Sequence, residues 1–501
     1  MSQITENLEN LRQEWIDGGD AYPNDIDCSH RRSAESLHLN DYLSVNDPDS
    51  MAEWNSICGH TTVIGRVILR RVMGKMSFIT LRDETGDIQC AIQRDQVGEE
   101  AYAAFKRLWH IGDIVSVTGE VFYTRTEELT VRASEIRLIS KTILPMPEKH
   151  EGLKDTETRY RQRYLDMISN NKFAVTLKTR SEMLRRIRRG LEENFVEVDT
   201  PVLQAVASGA NALPFVTHHN ELDADMFLRV APELALKMLI VGGMEGVYEI
   251  GRCYRNEGVS SKHNPEFTSL EMYMAYMDYK AMMFWCEQII NDAMCCVSSY
   301  HFEGVQYQGQ NLNIDTTTRF RRMTVREAVL EYTNVTEEQI DDRDALIHEF
   351  FTGEDHGDTL AMLHYRIFEK LDVESKLIEA TFITHLPIEV SPLARRNDDN
   401  PEVADRFELY IAGMEIANGF SELNDSVEQR ERFMEQARKH ADELLGEEPM
   451  QFDEDYITAL SYAMPPAGGL GIGIDRLIML ATDSPSIRDV IAFPTMRPQS
   501  S

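Results

Sequence analysis

The stretch from Glu249 to Asp278, EIGRCYRNEGVSSKHNPEFTSLEMYMAYMD, concentrates groups able to bind an anion and a cation side by side. Arg255 stands two residues before Glu257, a polar loop containing Lys262 and His263 follows, and Glu266 and Glu271 lie in an alternating run that reaches Tyr276. Alternation at period two predicts two strands, with the insert GVSSKHNP as their turn, hence an antiparallel hairpin with Arg255, Glu257, Glu266 and Glu271 as charge on one face. If that face is buried, its charges require ligands or partner charges; otherwise the hairpin is solvated and its charges are ordinary surface. Glu408, Glu415 and Glu422 recur at intervals of seven. Seven is odd, so Glu408 and Glu415 converge only if Ala412-Gly413 bends or reverses the chain. A hard cation accepts carboxylates together with phosphate oxygens, although spacing alone does not call for one, and a solvated acid is the competing reading of Glu408. In PPAGGLGIGIDRLIML the glycines leave room for a ligand against backbone, with Arg476 in the first turn of the helix that follows. The run imitates GxGxxG, but a dinucleotide fold needs that motif after the first strand of a βαβ unit, not near the carboxyl terminus of a mainly antiparallel domain.

The elements that must hold these residues divide the 501-residue chain. Residues 4–16 space Ile4, Leu8, Leu11 and Trp15 as one face of a helix, and 17–56 read as a loop, so 1–56 form a lead-in. Between 57 and 144, five strand-like runs with a helix at 99–109 after the third match a Greek-key barrel of the OB type. Arg66, Arg70, Arg71 and Lys75 cluster on and after its first strand with Phe78 on the second, a set suited to phosphate and an unpaired base; Phe78 as core and the arginines as a solvated edge is the competing reading. Pro145 and Pro147 mark a linker, 145–154, to a second domain at 155–501. There a helix is expected over 178–195, whose five arginines read as a solvated face or a subunit contact, with a nucleic-acid contact as the lesser alternative. VEVDTPVLQ reads as a short strand ended by Pro201. The Met-rich run 279–299 reads as a core helix, and 426–445 and 453–463 as amphipathic helices.

Composition narrows the function. Lys plus Arg number 51 against 84 Asp plus Glu, a net charge of −33, which argues against nucleic-acid binding over the whole surface but leaves a local basic patch possible. No apolar run approaches the roughly 18 to 20 residues of a membrane span. The acidic amino-terminal stretch is unlike a secretory or transit peptide, so a cytoplasmic protein is expected. Seven cysteines without a Cys-x-x-Cys pair offer no disulfide framework or zinc spacing.

VEVDTPVLQ, the RCYRNEG/HNPEFTSLEMYMAY hairpin and GLGIGIDRL resemble, in order, the three motifs of class II aminoacyl-tRNA synthetases. An OB barrel ahead of them is similar to the subgroup that charges Asp, Asn and Lys. YRQRYLDMISN, THHNELDADMFLRVAPELALK, EVSPLARRNDDNPEVADRFELY, EIANGFSELND and IRDVIAFPTMRP resemble the bacterial lysyl-tRNA synthetases in particular. The resemblance covers nearly the whole chain. It implies an α+β multidomain protein, the barrel reading the anticodon and the catalytic domain built on a mainly antiparallel sheet flanked by helices, assembled as a homodimer through the first motif. The implied activity is lysine–tRNA ligase, with lysine, ATP and tRNA(Lys) as substrates and Mg2+ as cofactor.

Carried over position by position, the resemblance implies that Arg255 holds the ATP α-phosphate and the amino-acid carboxylate, that Phe267 and Arg476 sandwich the adenine, and that His263 and Glu257 lie on the nucleotide. Glu408 and Glu415 would bind magnesium. Glu233 and Glu271 would take the lysine α-ammonium, Tyr273 and Glu422 its ε-ammonium, and Asn418 its carboxylate, with Gly209 closing over the ligand. Arg71, Phe78, Gln89 and Glu128 match anticodon-reading positions. Where the family commonly has arginine this chain has Lys262, Met238, Gly246 and Met414, and where it has an aromatic residue this chain has Ala235. Two alternatives follow: a diverged paralogue acting mainly as an RNA-binding protein, or one that lysylates a non-tRNA acceptor.

Overall fold

The computed structural model describes residues 3–19, 21–38, 52, 55–56, 60–147, 153–206, 212–298, 305–312, 314, 319–352, 357–443 and 453–499. The chain divides into two compact units, Met1–Glu151 and Gly152–Ser501.

In the first unit β1 (Thr61–Met73), β2 (Met76–Arg82), β3 (Asp87–Gln93), β4 (Ile114–Tyr123) and β5 (Leu129–Ser140) close a barrel in the order β1-β2-β3-β5-β4, with a helix, Glu99–Leu108, between β3 and β4. Period-two alternation sends Val67, Ile79, Leu81, Ile88 and Cys90 inward. The expected lead-in loop contains a short helix, Ala34–His38, after the opening helix Gln3–Asp17. Of the four cations clustered near β1, two are spent internally. Arg66 donates to the Gly112 carbonyl at 2.7 Å, and Arg70 donates to the carbonyls of Phe105 and Lys106, capping the barrel helix. Arg71 and Phe78 are direct cross-strand partners outside the barrel core, with Lys75 exposed in the turn between their strands.

The second unit is organised by an eight-stranded sheet. Its strands in chain order are β6 (Val196–Glu197), β10 (Gly246–Tyr254), β11 (Glu266–Ala275), β14 (Arg321–Thr324), β15 (Thr381–Thr384), β16 (Arg406–Ile411), β17 (Met414–Ser421) and β18 (Ala467–Gly473). They run in space β14-β15-β16-β17-β18-β11-β10-β6, antiparallel except for the outermost pair at each end. Two smaller sheets, β7-β9-β8 (Leu203–Gln204, Ala224–Leu228, Val216–His219) and β12-β13 (Val305–Tyr307, Gln310–Leu312), complete the strands. One face of the large sheet packs Leu270, Met272, Phe407, Leu409, Leu470 and Ile472 against the helices Lys172–Leu191, Tyr279–Ser298 and Ile474–Ala481.

The expected arginine helix begins at Lys172 and ends at Leu191, and its charges are not a uniform solvated face. Arg180 reaches inward to Asp475 at 2.5 Å and to Thr268 Oγ1 at 2.9 Å, while Asp475 also accepts the Thr268 amide at 2.6 Å. This network fixes the first turn of the last helix, and hence Arg476, to β11. Its sequence signal is weak because an arginine that reaches inward from a helix looks like any other. Arg188 pairs with Glu197 across to β6, and Glu182 takes Arg185 and Arg186.

Removing Asp475 strands a largely buried guanidinium and a buried amide. D475A is therefore expected to lower the stability of the second unit by about 3–5 kcal/mol, seen as a shift in its denaturant midpoint. A shift below about 1 kcal/mol would mean the network is not what holds the helix.

Candidate active site

The hairpin forms as expected. β10 and β11 pair over nine residues, Gly246 opposite Met274 to Tyr254 opposite Glu266, and Arg255 closes the ladder by donating its amide to the Pro265 carbonyl at 2.9 Å. Its charge is not confined to one face. Glu266 and Glu271 are five apart, so they point oppositely: Glu266 lies half-exposed beside Arg252, and Glu271 is buried. Directly across from Glu271 is Glu249, also buried, which is held by Arg229 at 2.6 Å and by the amide and hydroxyl of Thr200. Arg229 sits where a side chain at Gly251 would strike it, since a Cβ there would lie 2.2 Å from its Nη2.

Glu271 opens onto a cavity of about 430 Å³ on the face of the sheet opposite the main core. Glu233, Arg255, Glu257, Lys262, His263, Phe267, Tyr273, Glu415, Asn418 and Arg476 also line it. Gly209 falls outside the described residues. Glu408 and Glu422 stand behind the lining, each tied to it by a neighbour.

The glutamates are brought together by the reversal that their odd spacing demands. Ala412 and Gly413 both take positive φ, 52° and 68°, and return the chain as a hairpin in which Tyr410 faces Glu415 and Glu408 faces Asn418. Glu408 and Glu415 thereby share a face. They differ in availability. Both oxygens of Glu408 are engaged, Oε1 by Arg406 at 2.5 Å and Oε2 by the Tyr410 hydroxyl at 2.7 Å, and burial raises its pKa. Glu415 stays accessible, 3.6 Å from Arg476. Among the described residues no group of three or more His, Cys, Asp or Glu is arranged to hold a metal. A divalent ion at this place would take Glu415, with Glu408 on the same face, and complete its shell from phosphate and water, the usual habit of magnesium.

Arg476 braces one end of the cavity. It donates to the Glu415 carbonyl at 2.6 Å and meets His263 Nε2 at 3.0 Å, while Ser260 Oγ lies 2.9 Å from His263 Nδ1. Burial and the neighbouring Arg476 lower the His263 pKa, so the imidazole is neutral and can accept from the guanidinium. Lys262 donates to the Gly413 carbonyl at 2.8 Å, joining the hairpin loop to the β16–β17 turn. The Arg255 guanidinium lies 5.2 Å from the Phe267 ring centroid, and its buried Nε has no hydrogen-bond partner among the described residues.

At the other end three carboxylates gather. Burial and Glu233 raise Glu271 to about 7, against hydrogen bonds from Ser269 and Tyr273 and the attraction of Arg255. Burial also raises Glu422, against Lys237. Burial alone would lower Lys237, but Glu233 and Glu422 outweigh it and keep the ammonium charged. Lys237 Nζ bonds Glu233 Oε1 at 2.5 Å and is in ion-pair contact with Glu422 Oε2. Oε1 of Glu422 is buried with no hydrogen-bond partner among the described residues, and it points at Gly469, where a Cβ would come within 2.0 Å.

Sequence reasoning left Lys237 and Arg406 without roles. Lys237 had a signal: it stands four after Glu233 on a helix, Glu233–Val241, whose neighbours Leu234, Leu236 and Ile240 are core residues. Arg406, which also bonds Asn418 Oδ1 at 3.1 Å, had none beyond its place two before Glu408. Of the departures, Lys262 lines the cavity, whereas Ala235, Met238, Gly246 and Met414 do not. Met414 is core, and a Cβ at Gly246 would lie 2.5 Å from the Asn194 carbonyl.

In the barrel, Phe78 and Gln89 point away from the core on adjacent strands as diagonal neighbours, two residues apart along the ladder, and Arg71 faces Phe78. Gln89 donates to Thr130 Oγ1 at 2.9 Å, and Glu128 is exposed at the start of β5.

Residues 155–497 match the family model for class II tRNA synthetases (D, K and N), and residues 61–139 match that of the OB-fold nucleic acid binding domain. The chain is 47% identical over 500 residues to a lysine–tRNA ligase of Azoarcus sp. (strain BH72), covering 99% of this chain and 97% of the relative. It is 47% identical to one of Yersinia enterocolitica, covering 98% and 95%. It is 46% identical to one of Photorhabdus laumondii, covering 99% and 95%. The cavity, the motif hairpin and the barrel thus lie within matched segments, and the chain belongs to the class II tRNA synthetases of the Asp, Lys and Asn group.

Proposed function

We infer that this ATP-dependent lysine–tRNA ligase runs both of its steps in the cavity between β11, β17 and β18, with the charge distribution there as the observation that carries the residue assignment. Arg255 and Arg476 are the catalytic cations. Arg255, Glu257, His263, Phe267 and Arg476 form the ATP end. Glu233, Glu271, Tyr273, Asn418, Glu422 and Arg255 form the lysine end. The unpaired Nε of Arg255, a residue that lines the cavity, supports this reading, since buried polar atoms are normally satisfied.

The lysine carboxylate attacks the α-phosphorus and pyrophosphate leaves. That nucleophile is already ionised, so no general base is required and positioning plus positive charge suffice. Arg255 orients both reacting groups, and Arg476, held by the Glu415 carbonyl and by neutral His263, presents a fixed guanidinium to the adenine opposite Phe267. Mg2+ held at Glu415 and Glu408 would neutralise phosphate charge. In the second step the tRNA 3′-hydroxyl attacks the lysyl-adenylate carbonyl and AMP leaves.

Residues 57–144 serve as the anticodon reader through Arg71, Phe78, Gln89 and Glu128, supported by the outward placement of an aromatic ring beside a free-standing basic edge. A homodimer through the first motif is supported by exposed Val196, Val202 and Leu203 in and beside that motif. Free cysteines at 28, 90, 253, 286 and 295 suit work in the reducing cytoplasm.

Three outcomes are expected. E422Q raises the lysine requirement in pyrophosphate exchange by about two to three decades, because one member of a buried charge set is lost; an effect under threefold would remove Glu422 from the lysine end. Lysine binding to the ligand-free enzyme releases a proton near pH 7, since Glu271 must ionise to receive an ammonium. Affinity then falls as pH drops from 8 to 5.5, which calorimetry in buffers of different ionisation enthalpy reads directly. F78A lowers kcat/KM for tRNA by about one to two decades, a stacking loss of about 1–3 kcal/mol, while pyrophosphate exchange stays unchanged.

A further inference from the structure

The acid-and-aromatic cage at the lysine end already holds a cation. The Lys237 ammonium lies 5.7 Å from the ring centroid of Tyr273, 5.2 Å from Phe420 and 6.0 Å from Tyr456, and its side chain is 1% exposed. It joins Glu233 of its own helix to Glu422 beyond the end of β17. Enclosure by three rings and two carboxylates is what a protein builds to recognise an ammonium, yet the occupant is the protein's own side chain.

We propose that Lys237 is a specificity-determining residue, a resident cation that fixes the net charge of the amino-acid end and so selects a ligand carrying one net positive charge. The proposal rests on the assignment of this end of the cavity to lysine.

Charge counting makes the case. Glu233, Glu271 and Glu422 contribute three negative charges when ionised, and Lys237 and Arg255 two positive ones, leaving −1. Lysine, with two ammonium groups and one carboxylate, carries +1 and brings the buried cluster to zero. A neutral amino acid leaves −1, and a diamine without the carboxylate overshoots to +1. Uncompensated charge in such a place is costly, so ligand charge is read as well as shape. Without Lys237, Glu422 loses the cation that favours its ionised form; the fully ionised cluster would carry −2, and a ligand that keeps it ionised must bring the second positive charge itself. Lys237 ion-pairs with Oε2 of Glu422, while Oε1 is turned to the backbone of Gly469.

The test compares lysine with 1,5-diaminopentane, which keeps the chain and terminal ammonium but carries +2 at pH 7.5. Both are titrated calorimetrically into full-length wild type, K237Q, K237M and K237R, with thermal unfolding recorded for each. Wild type and K237R are expected to prefer lysine. In K237Q and K237M the preference shifts towards the diamine by about tenfold or more, even if both ligands bind less tightly overall. A purely structural role would weaken both ligands alike, so a preference unchanged within about threefold in a folded neutral variant overturns the proposal. K237M, whose apolar chain suits the aromatic walls, serves if K237Q does not fold; failure of both to fold while K237R folds also overturns it, in favour of a stabilising ion pair. If wild type binds no lysine, the lysine assignment fails instead, and that result is separate from any effect of the variants.

Discussion

The catalytic unit depends on keeping three carboxylates in one water-poor space without neutralising them all. Each pays a desolvation penalty, visible in the raised pKa values of Glu271 and Glu422, and each repels the others. The fold tolerates this because the charges are distributed over elements that cannot retreat: Glu233 on a helix packed by Leu234, Leu236 and Ile240, Glu271 in the middle of β11, and Glu422 directly after β17 with its amide bound to the Ala467 carbonyl at 2.8 Å. Relief comes from Lys237 and Arg255, and it is incomplete. What remains is a standing attraction for a cationic ligand, stored as electrostatic strain in the folded state.

Precision at the Arg476 end of the cavity comes from different means. There the cations are tethered through backbone carbonyls more than through acids: Arg476 to Glu415, Lys262 to Gly413. A carbonyl orients a cation without cancelling its charge, so both remain attractive to phosphate or a base. Asp475 and Arg180 hold the helix behind Arg476, and the glycines of β18 let side chains from β11 and β17 lie against its backbone. A Cβ at Gly469 would strike Tyr273 and Glu422, and one at Gly471 would crowd Glu271.

The hairpin, the barrel and the closing strand–helix pair were legible because their signals are local: alternation, turn residues, and glycines before a helix. The reversal at Ala412-Gly413 follows from the parity of Glu408 and Glu415 alone. The one-face reading of the hairpin failed on the same parity, since Glu266 and Glu271 are an odd number apart. Arg70 and Arg180 read as surface basic charge because nothing in a single sequence distinguishes an arginine that caps a helix or meets a buried acid from one in water. Lys237 stayed hidden for a related reason: its partner Glu422 is 185 positions away, and only the sheet order brings them together.

The departures from the family pattern bear on catalysis unequally once their places are known. Met414 is buried in the main core beside Ile411 and Ile416, and Gly246 has backbone where a side chain would begin. Neither position can deliver a cation to the cavity with this backbone. Lys262 is the exception, since it lines the cavity and could meet a ligand. In the free protein it satisfies the Gly413 carbonyl in a turn that already holds Ala412 at positive φ, a conformation with a cost for any residue bearing a Cβ. A lysine has one ammonium to give, where an arginine could bind the carbonyl and a phosphate through different nitrogens. Any anion that engages Lys262 must therefore compete with, or share donors with, the turn that leads into Glu415.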